Sequence, residues 1–195
     1  MKTCVLITTA REEQANRIHE ITRQFFDVKL FSKHDWDNKD VTEALEQTLM
    51  SGEIDYLFSF CCPLIVPQYL LDSVRCQSVN LHPSPPEYPG VKGAFRACWD
   101  HKTEFGVTAH LMEEKVDTGN ILRVQRFPIL DNTDPEALTL TSFVHSIELY
   151  ENVIRDIAEE RPFQCHEQWS NFTMSRKRFA KLLSARQTLA LQPNG

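Results

Sequence analysis

The sequence holds no uninterrupted apolar run of about eighteen residues, so nothing in it reads as a membrane-crossing helix. It has no C-x-x-C pair, which removes the usual spacing of a structural zinc site, and no metal is expected. It has no excess of positive charge. Lys and Arg number 21 against 27 Asp and Glu, for a net charge of -6, which disfavours nucleic acid as a general partner. It shows no export signal, because "MKTCVLITTAREEQ" turns polar too soon. A cytoplasmic location is therefore expected, with the six cysteines as reduced thiols rather than disulfides. Internal repeats and low-complexity segments are missing too. What is present is an ordinary globular composition, 42% hydrophobic and 25% charged, in a chain of 195 residues, enough for one domain with a small appendage.

Short β-branched apolar runs alternate with helical patterns along the first half. "TCVLITT", "DVKLF", "IDYLFSF" and "QSVNL" read as strands. "EEQANRIHEITRQFF" carries Ala15, Ile18, Ile21, Phe25 and Phe26 at helical spacing, and "VTEALEQTLMSG" reads as a helix ended by Gly52. A further helix is expected to begin at Pro67. Such alternation implies an α/β fold with a mostly parallel twisted sheet and helices on both faces. Beyond it, "AFRACWDHK" predicts a short helix, "FGVTAHLM" and "ILRVQRFPI" predict strands, and "KVDTGNI" predicts a polar turn between them. A long helix is expected from Pro135 to Glu160, stopped by Pro162, with Phe143, Val144, Ile147, Ile154 and Ile157 on its apolar face. Residues 1–162 are read as the catalytic domain. Residues 163–195 are read as a helical appendage that covers the active site, mediates a homodimer or packs on the core.

"NLHPSPPEYPG" follows the fourth predicted strand and carries prolines at 83, 85, 86 and 89, which cannot continue a strand or a helix. It lies at the C-terminal end of that strand, the edge where open α/β sheets bind ligands. Asn80 offers an amide that can donate to a developing oxyanion. His82 can donate a hydrogen bond or move a proton. Asp117, in the predicted turn, would orient the imidazole and favour its charged form if the two meet. Together they would make an oxyanion site with a proton relay and need no nucleophile from the protein. The same letters also describe a proline-rich surface loop whose His and Asp never meet, and pattern alone leaves both readings open.

"NLHPSPPEYPGVKG" followed by "GVTAHLMEEKVDTGNIL" closely resembles the family of formyltransferases that use 10-formyltetrahydrofolate. The matching positions are Asn80, His82, Pro83, Gly90, His110, Asp117 and Gly119, and the likeness is strong over about residues 55 to 130. The resemblance implies a Rossmann-like fold and direct attack of a neutral amine on the formyl carbon. It implies that Asn80 and a protonated His82 stabilise the oxyanion, and that Asp117 orients His82 and helps carry the proton to the departing folate nitrogen. It also implies a pterin pocket along Cys62, Pro63, Leu64 and Ile65 and along Glu113 to Val116, assigned by segment. Apolar residues at a strand end are more often core.

Departures from the family narrow the expected amine. The turn after the first strand, "TTAREEQ", has no glycine to cradle a phosphate, which counts against a ribonucleotide. Only residues 131 to 195 follow the matched region, and the net charge is negative, which counts against tRNA. The loop "SPPEYPG" is one residue shorter than the usual form. The short loop and a tail with Trp169 and "TMSRKRF" resemble nucleotide-sugar N-formyltransferases of the GDP-perosamine type, which implies a nucleotide diphosphate amino sugar and a place in lipopolysaccharide O-antigen synthesis. Tyr88, Lys92, Arg96 and His110 are then expected substrate contacts, though each equally suits a loop, a helix face or the core. Arg176, Lys177 and Arg178 could meet phosphates, but a solvated face fits them better. A metal hydrolase built on His82, His110 and Asp117 leaves Asn80 without a task. Cys61 and Cys62 fit a pocket wall better than nucleophiles. A folate-binding module without turnover would not need the intact Asn, His and Asp.

Overall fold

The computed structural model describes residues 1–32 and 39–190. Among them, one sheet is formed by β1 (Thr3–Thr8), β2 (Asp27–Ser32), β3 (Tyr56–Phe60), β4 (Gln77–His82), β5 (Glu104–Leu111) and β6 (Ile121–Pro128), in the order β2-β1-β3-β4-β5-β6. The first four strands pair in parallel, while β5 runs antiparallel to β4 and β6 antiparallel to β5. The expected α/β sheet is present, with an antiparallel end. The helices are α1 (Glu12–Thr22), α2 (Lys39–Leu49), α3 (Gln68–Leu71), α4 (Gly93–Trp99), α5 (Pro135–Ala158) and α6 (Arg176–Ala190).

Side chains alternate across a strand, and this splits the core in two. Cys4 and Leu6 of β1 join Phe58, Phe60, Val79, Leu81, Phe105 and Val107 on one face, covered by Ile18 of α1, Ala97 of α4 and Tyr150, Val153 and Ile154 of α5. Val5 and Ile7 join Leu57 on the other face, covered by Val41, Leu45 and Leu49 of α2 and Leu70 and Leu71 of α3. Central strands buried on both faces read as unbroken apolar runs, as "CVLI" does here. On β4 and β5 the alternation becomes apolar and polar. Val79, Leu81, Phe105, Val107 and Ala109 pack towards the α4 and α5 side. Ser78, Asn80, His82, Thr108 and His110 therefore occupy the face away from those helices.

Helix α5 begins as its sequence dictates. Asp134 caps it by accepting from the Ala137 N–H at 2.7 Å, and Pro135 occupies the first turn. It ends at Ala158, earlier than a stop at Pro162 predicts. The Glu160 N–H donates to the Ile157 carbonyl and the Arg161 N–H to the Asp156 carbonyl, with Glu160 in the left-handed region, so a Schellman turn closes the helix before the proline arrives. Val144 is also misassigned by the sequence pattern: it is 65% exposed, because the inward stripe runs through Ile147, Tyr150, Ile154 and Ile157. Tyr150 is fully buried, and its hydroxyl meets Thr22 Oγ1 of α1 at 2.6 Å. Thr22 Oγ1 also donates to the Ile18 carbonyl, so it keeps a partner without Tyr150. Tyr150→Phe is therefore expected to cost only about 1 kcal/mol, read as a lower urea midpoint with unchanged slope.

The tail is not uniformly helical. Residues 161–175 run as an irregular strap across the sheet's antiparallel end, and the expected helix starts only at Arg176. Phe179 of α6 anchors it by stacking on Trp99 of α4 at 5.4 Å between ring centroids. Among the described residues, no helix is long and apolar enough to cross a membrane.

Candidate active site

The proline-rich loop leaves β4 at His82 and is fixed from several sides. Thr108 Oγ1 donates to the Ser84 carbonyl at 2.8 Å, and the Tyr88 N–H turns back to the Pro85 carbonyl at 2.9 Å. Asn80 lies directly opposite His110 in the β4–β5 register. Asp117 comes from the turn between β5 and β6 and holds a left-handed conformation, φ 53°, which Asp tolerates better than most residues. Gly119 is needed two residues later, since a Cβ there would overlap the Leu111 carbonyl, so the turn can lie flat on β5 only with glycine.

These elements bring together the three expected catalytic residues and His110, which was expected as a substrate contact. Asp117 Oδ2 lies 3.4 Å from His82 Nδ1 and accepts from the Gly90 N–H at 2.6 Å. Asp117 Oδ1 lies 3.4 Å from His110 Nε2. Asn80 Nδ2 is 3.1 Å from the same His110 nitrogen. His82, His110 and Asp117 are buried, and Asn80 is half-buried. His110 Nδ1 faces the Leu111 carbonyl at 2.7 Å, which can only accept, so this nitrogen carries the proton in a neutral ring. His110 Nε2 lies within reach of both the Asn80 amide and the Asp117 carboxylate, and Asn80 has a second amide N–H to offer a ligand.

His82 faces acceptors on both sides. Its Nε2 is 3.2 Å from the Tyr88 carbonyl and its Nδ1 points at Asp117. A neutral ring satisfies one of them, and a second proton would satisfy both. Burial opposes that second proton, and the neighbouring His110 and Arg96 oppose it further, so the pKa lies below the ordinary 6.5 although Asp117 raises it. The carboxylate favours the charged form, as expected, but desolvation prevails, which runs against the protonated His82 that the resemblance implies. Burial likewise pushes the Asp117 carboxyl up, but His82, His110 and the Gly90 N–H offset it, and its pKa lies below the usual 3.8.

Both shifts have the same sign for stability. Above pH 6.5 neither state protonates His82 and its contribution is whole. Below 6.5 the unfolded chain binds a proton that the native ring resists, so stability declines until the pH passes the lowered native value. The Asp117 contribution is present above 3.8 and is lost as pH falls through its lower native value. Urea midpoints at about pH 7.5, 6 and 5 are expected to fall in that order, and His82→Gln to flatten the decline below 6.5.

The remaining expected residues fall into two groups. Cys62, Pro63, Leu64 and Ile65 leave β3 beside the end of β4, on the same sheet edge, and Ile65 is 63% exposed. Glu113 and Val116 are exposed in the turn that carries Asp117. Burial pushes the Cys61 and Cys62 thiols up to about 12, which removes the thiolate that a nucleophile would need. Tyr88 is turned inward: its hydroxyl donates to Asp100 at 2.9 Å, and its carbonyl, not its ring, reaches His82. Arg96 lies over the Tyr88 ring and donates to the Pro89 carbonyl, and Lys92 is exposed over Phe95. Sequence reasoning gave Trp169 no place in the site. Its indole meets the His110 ring edge to face at 4.9 Å and the His82 ring at 5.7 Å, and its Nε1–H donates to the Gly119 carbonyl at 2.8 Å. A lone tryptophan in an irregular tail carries no periodic signal that would have placed it there. Among the described residues, no group of three or more His, Cys, Asp or Glu is arranged to hold a metal ion.

The chain has counterparts among known proteins. A methionyl-tRNA formyltransferase of Listeria innocua is 39% identical over 95 residues, which is 47% of this chain but only 30% of that relative's length. A sugar N-formyltransferase-like protein of Mycobacterium tuberculosis superposes with a TM-score of 0.75 at 19% identity, over 93% of this chain and 78% of its own. The N-formyltransferase of Helicobacter canadensis, solved with folinic acid and dTDP-3-aminofucose, superposes with a TM-score of 0.68 at 22% identity, over 91% of this chain and 72% of its own. These superpositions establish the fold. The profile described as formyl transferase matches residues 2–153, which span the whole sheet and the Asn80–His82–Asp117 constellation, and the chain belongs to that family.

Proposed function

We infer that the protein is an N-formyltransferase that moves the formyl group of 10-formyltetrahydrofolate onto the amine of a nucleotide diphosphate amino sugar. The observation that carries this reading is the meeting of Asn80, His82 and Asp117 under one cover, with donors, a proton site and no nucleophile. In this reading Asn80 donates its second N–H to the formyl oxygen as negative charge develops there. The amine nitrogen bonds to the formyl carbon, and the bond from that carbon to the donor nitrogen breaks. Asp117 and His82, whose neutral ring leaves one nitrogen unprotonated, take up the amine's proton and return it to the leaving nitrogen. The donor supplies an activated formyl group, and the rest is the work of these side chains.

The residues suit such a donor. Exposed Pro63 and Ile65 and exposed Val116 offer apolar contacts on either side of the Asn80 strand end. Ser78 Oγ, in the same row as Asn80 and His82, is buried without a hydrogen-bond partner among the described residues, beside the backbone that leads through Met112 to Glu113. Lys92, Arg96 and Arg178 lie among Phe95, Phe172 and Tyr88, an arrangement that suits a diphosphate and a base. The Helicobacter relative was solved with such a nucleotide sugar. Residues 1–162 serve as the catalytic unit and 163–195 as an appendage fastened to it, and the enzyme works in the cytoplasm. A GDP-linked perosamine bound for lipopolysaccharide O-antigen is the acceptor that the short loop favours.

The test is incubation with 10-formyltetrahydrofolate and a panel of amines: GDP- and dTDP-linked amino sugars, glycinamide ribonucleotide and methionyl-tRNA. Formylation of a nucleotide amino sugar above the others is expected. Transfer only to the ribonucleotide or the tRNA would overturn the acceptor assignment. Folate binding with no transfer to any amine would favour a silent binding module.

A further inference from the structure

The strap at residues 161–175 makes contact with both segments that build the site. Its Ser170 N–H donates to the Pro86 carbonyl at 2.9 Å and its Met174 N–H to the Pro89 carbonyl at 3.0 Å, while the Val91 N–H returns a bond to the Met174 carbonyl at 2.9 Å. Gly90 and Met174 form a single parallel bridge, so close that a Cβ at Gly90 would overlap the Met174 backbone. Arg126 of β6 ties Glu167 of the strap to Glu87 of the loop. On its other side, the strap reaches the Asp117 turn through Trp169 Nε1 and the Gly119 carbonyl. The strap therefore links the loop whose Tyr88 carbonyl holds His82 to the turn whose carboxylate holds both imidazoles.

Trp169 stands at the centre of that link. Its ring meets His110 and His82, the two imidazoles flanking Asp117. The face of β4 and β5 that bears them is turned away from α4 and α5, and Trp169 of the tail is one of the groups that cover it. We propose that Trp169 is a positioning residue of the active site, one that fixes and dehydrates the His82–Asp117–His110 array from the tail. It touches neither donor nor acceptor in this assignment; it sets where the imidazoles stand and how dry they are. For kinetic purposes the assignment rests on the formyl-transfer reading, but its structural part does not.

The groups facing His82 are Asp117 of the β5–β6 turn, His110 of β5, Arg96 of α4 and the Tyr88 carbonyl of the loop. All of them remain in a Trp169 variant, so a change in His82 titration reports the lost wall or a displacement of the array that Trp169 fixes. The experiment is an NMR titration of the His82 ring, assigned against His82→Gln, in the wild type and in Trp169→Ala, Trp169→Leu and Trp169→Phe. The His82 midpoint is expected to move up towards 6.5 in Trp169→Ala and to stay near the wild type in Trp169→Phe, which retains an aromatic wall. In parallel, kcat is expected to fall by about tenfold or more in Trp169→Ala, with KM less affected and most of the rate restored in Trp169→Phe. An unchanged His82 midpoint in Trp169→Ala would overturn the proposal. Should that variant not fold, Trp169→Leu decides instead, because its smaller side chain opens part of the wall to water: a smaller upward shift of the His82 midpoint is expected, and none would overturn the proposal. If the wild type transfers no formyl group, the titration still decides the positioning role, so failure of the functional reading and failure of this inference remain distinguishable.

Discussion

Asp117→Asn is expected to lower kcat/KM for formyl transfer by about 10²–10⁴-fold while leaving the fold intact. The replacement is nearly isosteric, and Asn adopts the left-handed backbone at this position as readily as Asp. Its side-chain oxygen can still accept from the Gly90 N–H, which now reaches Asp117 Oδ2 at 2.6 Å. The negative charge is what disappears. In the native protein that charge is the principal force opposing the dehydration of His82, so the variant's His82 is driven further towards the neutral form. Both halves of the proton relay are then lost together: the carboxylate that accepts and the imidazole position it supports. Steady-state rates with 10-formyltetrahydrofolate and a nucleotide amino sugar, beside a circular dichroism spectrum and a urea midpoint, provide the check. A folded Asp117→Asn protein with a rate within a few-fold of wild type would remove Asp117 from the chemistry.

Where the sequence was legible, the cause is local. The apolar runs of β1, β3 and β4 are buried strands, and their order follows from the crossover helices between them. Asn80 and His82 could be placed because alternation puts both on one face of β4 at the edge where prolines stop the strand. Asp117 could be placed only through the family resemblance, since no rule of spacing says that a turn 35 positions beyond His82 should return to it. Its arrival depends on β5 running antiparallel against β4, a tertiary fact that sets His110 opposite Asn80 and leaves the next turn over the loop.

What was not legible depends on context that sequence does not carry. The charge state of His82 turns on a balance between Asp117 and burial, and burial is a property of the whole fold. Val144 and Ile147 are equally apolar letters, and only the helix's rotation against the sheet sends one outward and the other in. Tyr88 looked like a loop residue available to substrate, yet Asp100 and Arg96 hold it inside. The strap shows no periodicity because its bonds go to the proline loop rather than to itself.

Asn80→Ala is expected to reduce kcat by about 10²–10³-fold with little change in KM, the signature of a donor whose bond strengthens as charge develops on the substrate. The loss has a second possible origin, because Asn80 also meets His110 Nε2 at 3.1 Å and could matter only by holding that ring. Asn80→Asp separates the two. A carboxylate of the same shape can accept a hydrogen bond from a protonated His110 Nε2, so it preserves a holding role, but it has no N–H to offer an oxyanion and places a like charge beside it. If Asn80 stabilises the developing oxyanion, Asp is at least as damaging as Ala, and measured kcat falls by the same two to three orders of magnitude or more. If Asn80 only holds His110, Asp retains most of the rate that Ala loses. The half-buried position of Asn80 at the sheet edge, with a second amide N–H beyond the one near His110, makes the first outcome the expected one.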